Sequence, residues 1–197
     1  MTDKESLKYR INKNNGIITV AEAGLLGISK PSFYSYAEKN GIQRISHGVY
    51  AEDTLLVDDL YVLSLRCKGL VFSHETALFL HNLTDREPIS ITATVKTGYN
   101  PSRLKAVGIQ VYTIKQDLIW LGKMLIKTQF GNEVPVYDLE RTICDIIRSR
   151  SKIEAQELQA ALKQYSSRKD KDLNKLMDYA EKLRIGGVVR RYMEVLL

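Results

Sequence analysis

The chain has 197 residues, of which 44% are hydrophobic and 26% are charged, and this composition is typical of a globular protein with one large or two small domains. No apolar stretch approaches the roughly 20 residues of a membrane-spanning helix, and the first ten residues are too polar for a secretory signal. We therefore expect a cytoplasmic protein without a membrane partner. The 29 Lys and Arg residues outnumber the 23 Asp and Glu residues, and the net charge of +6 favours a polyanionic partner.

The cysteines and histidines show no metal-binding pattern. Cys67 and Cys144 each lie in an apolar run, and neither has a neighbouring Cys or His residue at the spacing of a zinc site. His74 and His81 are seven residues apart, with no third ligand and no HExxH motif. We interpret the cysteines as reduced core residues, expect a core or surface role for the two histidines, and predict no metal and no other cofactor.

Three short helices are predicted within the first forty residues. The first covers residues 4–14, where apolar residues recur at helical spacing, and Gly16 is typical of its end. Thr19 is a predicted N-cap of the second helix, because its hydroxyl can accept a hydrogen bond from a free backbone amide of the first turn. Ser29 is the predicted N-cap of the third helix, which runs to residues 40–41.

A hairpin is predicted directly after the third helix. Residues 42–51 form two β-like runs separated by His47-Gly48, a pair that suits a tight turn. Two short helices joined by a tight turn and followed at once by a hairpin indicate a winged helix-turn-helix. Residues 1–51 carry seven basic and four acidic side chains, so they hold half of the net charge. We predict a winged helix-turn-helix DNA-binding domain over residues 1–51 and a second domain over residues 52–197.

The second domain mixes helical and strand patterns, so the predicted fold class is α+β, with a small sheet and terminal helices in this part. Asp53 or Thr54 is expected to start a helix that buries Leu56. Ser73 and Asp138 are expected to cap two further helices. The predicted strands are residues 89–96, 107–115 and 134–137, and the predicted terminal helices lie around residues 158–165, 173–180 and 188–196.

The third predicted helix offers a surface for contacts with bases and phosphates. If Phe33, Tyr36 and Ala37 pack inward, the opposite face presents hydroxyls and cations that suit the major groove. The hairpin adds a basic group that can reach the flanking backbone or the minor groove. The candidate DNA-binding residues are Lys30, Ser32, Tyr34, Ser35, Lys39, Arg44 and His47. The same fold would also suit RNA or a protein partner, and the sequence leaves these alternatives open.

A second set of basic residues is a candidate extension of this interface. If these residues share a face with the first domain, they neutralise further phosphates and favour bending of the duplex. Binding by the full chain would then depend more steeply on salt than binding by residues 1–51. Otherwise they are solvated surface charges. The set comprises Lys96, Arg103, Lys105, Arg148, Arg150 and Lys163.

A metal-dependent nuclease is the enzymatic alternative, because three carboxylates and a cation lie within two turns of one predicted helix. Two-metal catalysis needs carboxylates that converge from rigid elements, and the two clear strands contain no acid. Asp138 is explained as an N-cap and Glu140 as an acid in the first helical turn. Arg141 and Asp145, four residues apart, are explained as an intrahelical ion pair. We therefore predict that the protein is not an enzyme.

Four stretches of the chain share their residue pattern with one protein family, and together they span most of its length. They are Gly27-Ile28-Ser29, Arg44 to Tyr50, Ser73 to Leu78 with His81-Asn82-Leu83, and Val136 to Asp145. The chain resembles the AbiEi-type antitoxins of type IV toxin–antitoxin systems, which are bacterial phage-defence modules. The first two stretches look like the family's recognition helix and its Gly-Val-Tyr hairpin. One position departs from the family, since His47 stands where Arg or Lys is expected.

The resemblance implies a two-domain transcriptional autorepressor that binds its own operon promoter through the N-terminal domain. It also implies an antitoxin that counters a nucleotidyltransferase-like toxin encoded beside it, and in a type IV system the two proteins need not bind each other. A ligand-responsive repressor without a toxin partner is the alternative within DNA binding. A nucleotidyltransferase-like gene immediately downstream would favour the antitoxin, and a metabolic operon would favour the ligand-responsive repressor.

Overall fold

The computed structural model describes residues 3–53 and 56–196 and has the mixed α+β fold that the sequence predicts. None of the described helices is long and apolar enough to cross a membrane. Up to residue 68 the elements are α1 (Asp3–Lys13), β1 (Ile17–Thr19), α2 (Val20–Leu25), α3 (Lys30–Lys39), β2 (Ile42–Ser46), β3 (Val49–Glu52) and α4 (Asp59–Arg66). The later elements are β4 (Val71–Phe72), α5 (His74–Leu80), β5 (Thr92–Lys96), α6 (Ser102–Lys105), β6 (Gln110–Ile114), β7 (Lys123–Lys127), β8 (Glu133–Tyr137), α7 (Leu139–Arg148), a 3-10 turn (Arg150–Lys152), α8 (Ala155–Ser167), α9 (Leu173–Lys182) and α10 (Gly186–Leu196).

The chain divides into two compact units, which are Met1–Lys68 with Lys127–Val134, and Gly69–Ile126 with Pro135–Leu197. The first unit extends past residue 51, because Val62 of α4 packs with Val49 and Ala51 of β3 in one small apolar cluster. Helix α4 therefore completes the packing of the preceding sheet. That residues 1–51 form the DNA-binding domain stays a prediction.

Helix α4 begins later than the sequence analysis expects. Thr54, one of the two predicted starts, lies outside the described residues, and Asp53 is in a turn. The N-cap is Asp58, whose Oδ1 accepts a hydrogen bond from the Tyr61 amide at 3.1 Å. Leu56 precedes the helix and is 82% exposed, so the prediction that it lines the buried face is wrong.

Helices α2 and α3 begin at the predicted caps. Thr19 Oγ1 accepts a hydrogen bond from the Glu22 amide, and Glu22 Oε2 accepts one from the Thr19 amide, so a capping box starts α2. Ser29 Oγ accepts a hydrogen bond from the Ser32 amide and starts α3. The side chain of Phe33 is fully buried in the core of this unit. Its burial decides which face of α3 remains exposed.

A three-stranded antiparallel sheet completes the first unit, in the order β1-β3-β2. Strand β1 has only three residues, too few to show an alternating pattern in the sequence, and it exists because it pairs with β3. The predicted hairpin is present, and its turn uses the left-handed region only at Gly48, with φ of +72°. The register of β2 against β3 shifts between Arg44 and Ser46, which is a β-bulge.

Hydrogen bonds to Asp58 hold residues 127–134 in the first unit. Its buried Oδ2 accepts hydrogen bonds from Thr128 Oγ1 at 2.6 Å and from Asn132 Nδ2 at 2.9 Å. Asn132 Oδ1 in turn accepts one from Asn15 Nδ2 at 2.8 Å. These partners are separated by 70 residues or more along the chain, so no local pattern indicates the link.

The other sheet has five strands in the order β6-β5-β4-β8-β7. Strand β4 pairs antiparallel with β5 and parallel with β8, and β5 pairs parallel with β6. Ile143, Ile146 and Ile147 of α7 are fully buried in a core that also contains residues of α8, α9 and α10. Both cysteines are buried, as predicted.

One buried arginine organises the second unit. The Arg141 side chain is 0% exposed, and its Nε donates a hydrogen bond to Asp145 Oδ2 at 3.1 Å, which confirms the predicted intrahelical pair. Its Nη1 donates to the backbone oxygens of Leu118 and Leu121, at 3.0 and 2.8 Å. The guanidinium lies 4.1 Å from the centre of the Tyr137 ring. A buried charge needs such partners, so Arg141 fixes the loop before β7 against α7.

Gly122 allows this loop to approach α7 closely. Its φ is +74°, and a Cβ atom there would lie 2.7 Å from Arg141 Cβ, whereas Gly98 has a φ of +90° with no atom within 4 Å. We expect Gly98→Ala to lower the free energy of unfolding by about 1–2 kcal/mol through backbone strain alone. Gly122→Ala should lose roughly 1–3 kcal/mol more, because the added methyl group overpacks the contact. Urea denaturation of both variants measures this difference, and equal losses would contradict it.

Candidate nucleic-acid interface

The outer face of α3 carries the side chains that the sequence analysis selects. Phe33 and Ala37 are buried and Tyr36 is half-buried, so the inward face is the predicted one. The opposite face is open to solvent. The predicted residues Lys30, Ser32, Tyr34, Ser35 and Lys39 are all exposed.

Two further residues share this exposed face and were missed by the sequence analysis. Pro31 and Glu38 are both exposed, and Glu38 lies one helical turn from Tyr34 and Ser35. A carboxylate here repels phosphate but can accept a hydrogen bond from the amino group of cytosine. The sequence does contain a signal for Glu38, because helical spacing places position 38 on the face of α3 opposite to Phe33.

The hairpin holds Arg44 in a defined orientation. Arg44 Nε donates a hydrogen bond to the backbone oxygen of Ser46 at 3.3 Å, and its Nη2 lies 3.1 Å from His47 Nδ1. Because a guanidinium only donates, the His47 Nδ1 atom is the acceptor. His47 was predicted to contact the nucleic-acid backbone itself. In this geometry its imidazole supports the Arg44 guanidinium, and both side chains are exposed.

A groove of about 560 Å³ lies between α2, α3 and the hairpin. Four of the seven predicted residues line it, and Ser32, Ser35 and Lys39 do not. Tyr34 and Tyr50 stand side by side in it, with ring centres 6.1 Å apart. None of the described lining residues is acidic, so the groove combines cations with aromatic surface. Its lining is Val20, Ala21, Gly24, Ile28, Lys30, Tyr34, Arg44, His47, Gly48 and Tyr50.

The second set of basic residues is spread over several elements of the second unit. Lys96 ends β5, and Arg103 and Lys105 lie on the short helix α6. Arg148 Nη2 is 3.2 Å from Asp145 Oδ1, so this arginine already has an ionic partner inside the fold. The remaining two, Arg150 and Lys163, line one groove. Two of the six residues, Arg150 and Lys163, therefore line the same groove, and a third, Arg148, already forms an ion pair.

Two of the three carboxylates of the nuclease hypothesis, Asp138 and Glu140, lie in a network that links α7 to α9, and the third, Asp145, pairs with Arg141 and Arg148. Asp138 Oδ1 accepts a hydrogen bond from the Arg141 amide, which confirms the predicted cap. Asp138 Oδ2 lies 3.1 Å from the Tyr179 hydroxyl and 3.0 Å from Lys175 Nζ. Glu140 Oε2 lies 3.4 Å from the same Lys175 Nζ. Among the described residues, no group of three His, Cys, Asp or Glu side chains has a geometry that could hold a metal ion.

The pKa shifts of Lys175 and Tyr179 fit a structural role for this network. Burial acts to lower the pKa of Lys175, but the hydrogen bond to Asp138 and the nearby carboxylates outweigh it and raise that pKa above its ordinary range. Burial and the Asp138 carboxylate raise the pKa of Tyr179 to about 12. At neutral pH Lys175 is therefore charged and Tyr179 remains a hydrogen-bond donor.

The two histidines of this unit belong to the core. His74 has a φ of +50° and begins α5, and its Nδ1 and Nε2 atoms lie 2.9 Å from Ser73 Oγ and 3.0 Å from Ser149 Oγ. Burial lowers the pKa of His74 to about 4. His81 Nε2 lies 2.6 Å from the backbone oxygen of Tyr137. Both rings are hydrogen-bonded inside the fold, so of the two predicted roles, core or surface, the structure shows the core role.

The fold is similar to that of a solved bacterial protein. The crystal structure of the RV2827C protein from Mycobacterium tuberculosis aligns over 100% of this chain and 81% of that chain, with a TM-score of 0.60 and 14% sequence identity. At this identity the similarity shows a shared fold alone. No protein-family model matches the chain, and no curated protein matches it significantly. The resemblance to the AbiEi-type antitoxins stays a prediction.

A structural role for the network predicts a stability loss in Lys175→Met. We expect a loss of about 1–2 kcal/mol at pH 7, less than for a fully buried pair because the lysine is 39% exposed. Lys182→Met is the control, because Lys182 and Asp178 form an exposed pair that contributes about 0–1 kcal/mol. The folded-state pKa of Lys175 is raised, so its contribution is present below pH 10.5 and is lost above it. Equal urea midpoints for the two variants would contradict this prediction.

Proposed function

We propose that the N-terminal part of the chain is a winged helix-turn-helix that binds double-stranded DNA through α3 and the β2–β3 hairpin. The observation that carries this proposal is the exposed face of α3, which presents cations and hydroxyls beside the hairpin arginine. The order of elements supports it, because α2 and α3 are joined by a short turn and followed at once by an antiparallel hairpin.

Each part of this surface has a different role in the proposed complex. Lys30 and Lys39, at the two ends of α3, neutralise phosphates, and the hydroxyls between them reach base edges. Arg44 enters the flanking backbone or the minor groove, in the orientation that His47 supports. Glu38 restricts the sites that bind, because its carboxylate is repelled wherever it finds no cytosine amino group.

We further propose that the protein is a transcriptional autorepressor and the antitoxin of a type IV system, acting in the cytoplasm against a nucleotidyltransferase-like toxin. The support is the set of four residue blocks in the sequence together with a second unit large enough for a separate activity. A ligand-responsive repressor is the second candidate, and a groove in the second unit favours it. The carboxylates of the nuclease hypothesis are already engaged in a cap and ion pairs, so this proposal is not enzymatic.

Substitutions on α3 separate phosphate contacts from base contacts. Lys39→Ala should weaken binding to the DNA upstream of the gene and to an unrelated duplex equally, and should lower the salt slope by about 0.9. Ser35→Ala should reduce only the preference for the upstream DNA, by about 1–3 kcal/mol. Fluorescence anisotropy of labelled duplexes at several salt concentrations measures both quantities.

Two further variants complete this experiment. Lys182→Ala is the control for general loss of charge, since Lys182 is an exposed residue of α9, and it should leave both affinities unchanged. Glu38→Gln should strengthen binding to the unrelated duplex, because it removes a negative charge from the proposed interface. If none of the α3 variants changed binding, α3 would not be the DNA-contacting element.

The second unit's share in DNA binding is tested in the full chain, because residues 1–51 lack α4 and the segment 127–134 that complete the first unit. If α6 contacts DNA, the double variant Arg103→Ala, Lys105→Ala should lower the salt slope by about 0.9 for each phosphate that is no longer neutralised. We expect a measurable decrease, because both side chains are exposed. A slope identical to that of the unchanged protein would remove α6 from the interface.

A further inference from the structure

A second groove, of about 610 Å³, lies between α8, α10 and the 3-10 turn of the second unit. Its size is in the range of small-molecule sites, which are about 300–1,000 Å³. Five of its lining residues are apolar or aromatic, and three are cations. The lining consists of Leu162, Val188, Tyr192, Val195, Leu196, Arg150, Gln159, Lys163 and Arg191.

Helix α10 carries apolar residues both in the core and at the groove. Val189 and Met193 are buried in the core, and Val188 and Tyr192 are partly buried against it. Val188, Tyr192 and Val195 recur at helical spacing and line the groove. Val195 is 85% exposed. An exposed apolar surface that is concave and bordered by polar groups is typical of a binding site.

The charged side chains among the described lining residues are all cations. Within residues 3–53 and 56–196, no carboxylate side chain lines the groove, and none lies within ion-pair distance of Arg150, Lys163 or Arg191. Arg150 Nη1 donates to the backbone oxygen of Ile147 at 3.1 Å, and Arg191 Nε donates to that of Gly187 at 3.3 Å. These bonds orient the two guanidinium groups, and the described part of the chain supplies no side-chain acceptor for their remaining donors, which can bind an anion.

We propose that this groove binds an anionic amphiphile, a small molecule with an apolar chain or ring and a carboxylate. The apolar rows of α8 and α10 take its body, and the three cations take its carboxylate. The groove's volume favours a small molecule over an acidic helix of a partner protein, which would need a contact area of about 800 Å² on each side. The proposal is independent of DNA binding by the first unit.

The test uses the full chain and two probes of opposite charge, decanoate and decyltrimethylammonium, both kept below their micelle concentrations. Isothermal titration calorimetry should show one decanoate site per chain. Decyltrimethylammonium has the same chain length, so it should bind at least about tenfold more weakly if the cations select the ligand. Equal affinities for the two probes, or no decanoate binding, would overturn the proposal.

Two substitutions locate the site. Lys163→Glu and Val195→Glu alter an exposed cation and an exposed apolar residue of the groove, so they leave the core intact. Each should weaken decanoate binding by about tenfold or more. Lys169→Glu is the control, because it makes the same charge change at an exposed position outside the groove. Unchanged binding in both groove variants, or tighter binding of an acidic amphipathic peptide than of decanoate, would overturn the assignment.

Discussion

The second unit depends on the burial of a single guanidinium. Arg141 is removed from water completely, and such a group is tolerated only where its charge and most of its donors have partners; here Nε and Nη1 have acceptors and Nη2 has none among the described residues. Asp145 supplies the countercharge, the loop before β7 supplies two carbonyl oxygens, and Tyr137 supplies the face of its ring. Because these partners come from a helix, a loop and a strand, satisfying one charge fixes three elements at once. The close approach at Gly122 follows from the same requirement.

The helix and the arginine of the proposed DNA interface are already oriented by contacts within the first unit. The capping box of α2 and the Ser29 cap of α3 define where each helix begins, and the burial of Phe33 sets the rotation of α3. The hairpin then holds Arg44 with one backbone carbonyl and one imidazole nitrogen. A side chain that is already oriented loses less entropy on binding, so these internal contacts favour recognition of a fixed partner geometry.

The two grooves have different linings, and we propose a different ligand for each. The first groove combines cations with tyrosines beside an exposed helix, which suits a nucleic-acid surface. The second combines cations with aliphatic rows, which suits a small amphiphilic anion. The acidic residues that first suggested catalysis lie in neither groove. Asp138 and Glu140 stabilise the contact between α7 and α9 through Lys175, and Asp145 pairs with Arg141.

The sequence by itself determined the features that depend on neighbours a few residues away. The caps at Thr19, Ser29 and Asp138 and the exposed face of α3 follow from hydrogen bonds and periodicity within one or two turns. Tertiary structure alone decided β1, the late start of α4 at Asp58, the carbonyl partners of Arg141 and both grooves. Apart from the start of α4, whose cap bond from Tyr61 to Asp58 is local, those features join residues far apart in the chain, and their stability comes from pairing and burial, which no local pattern encodes.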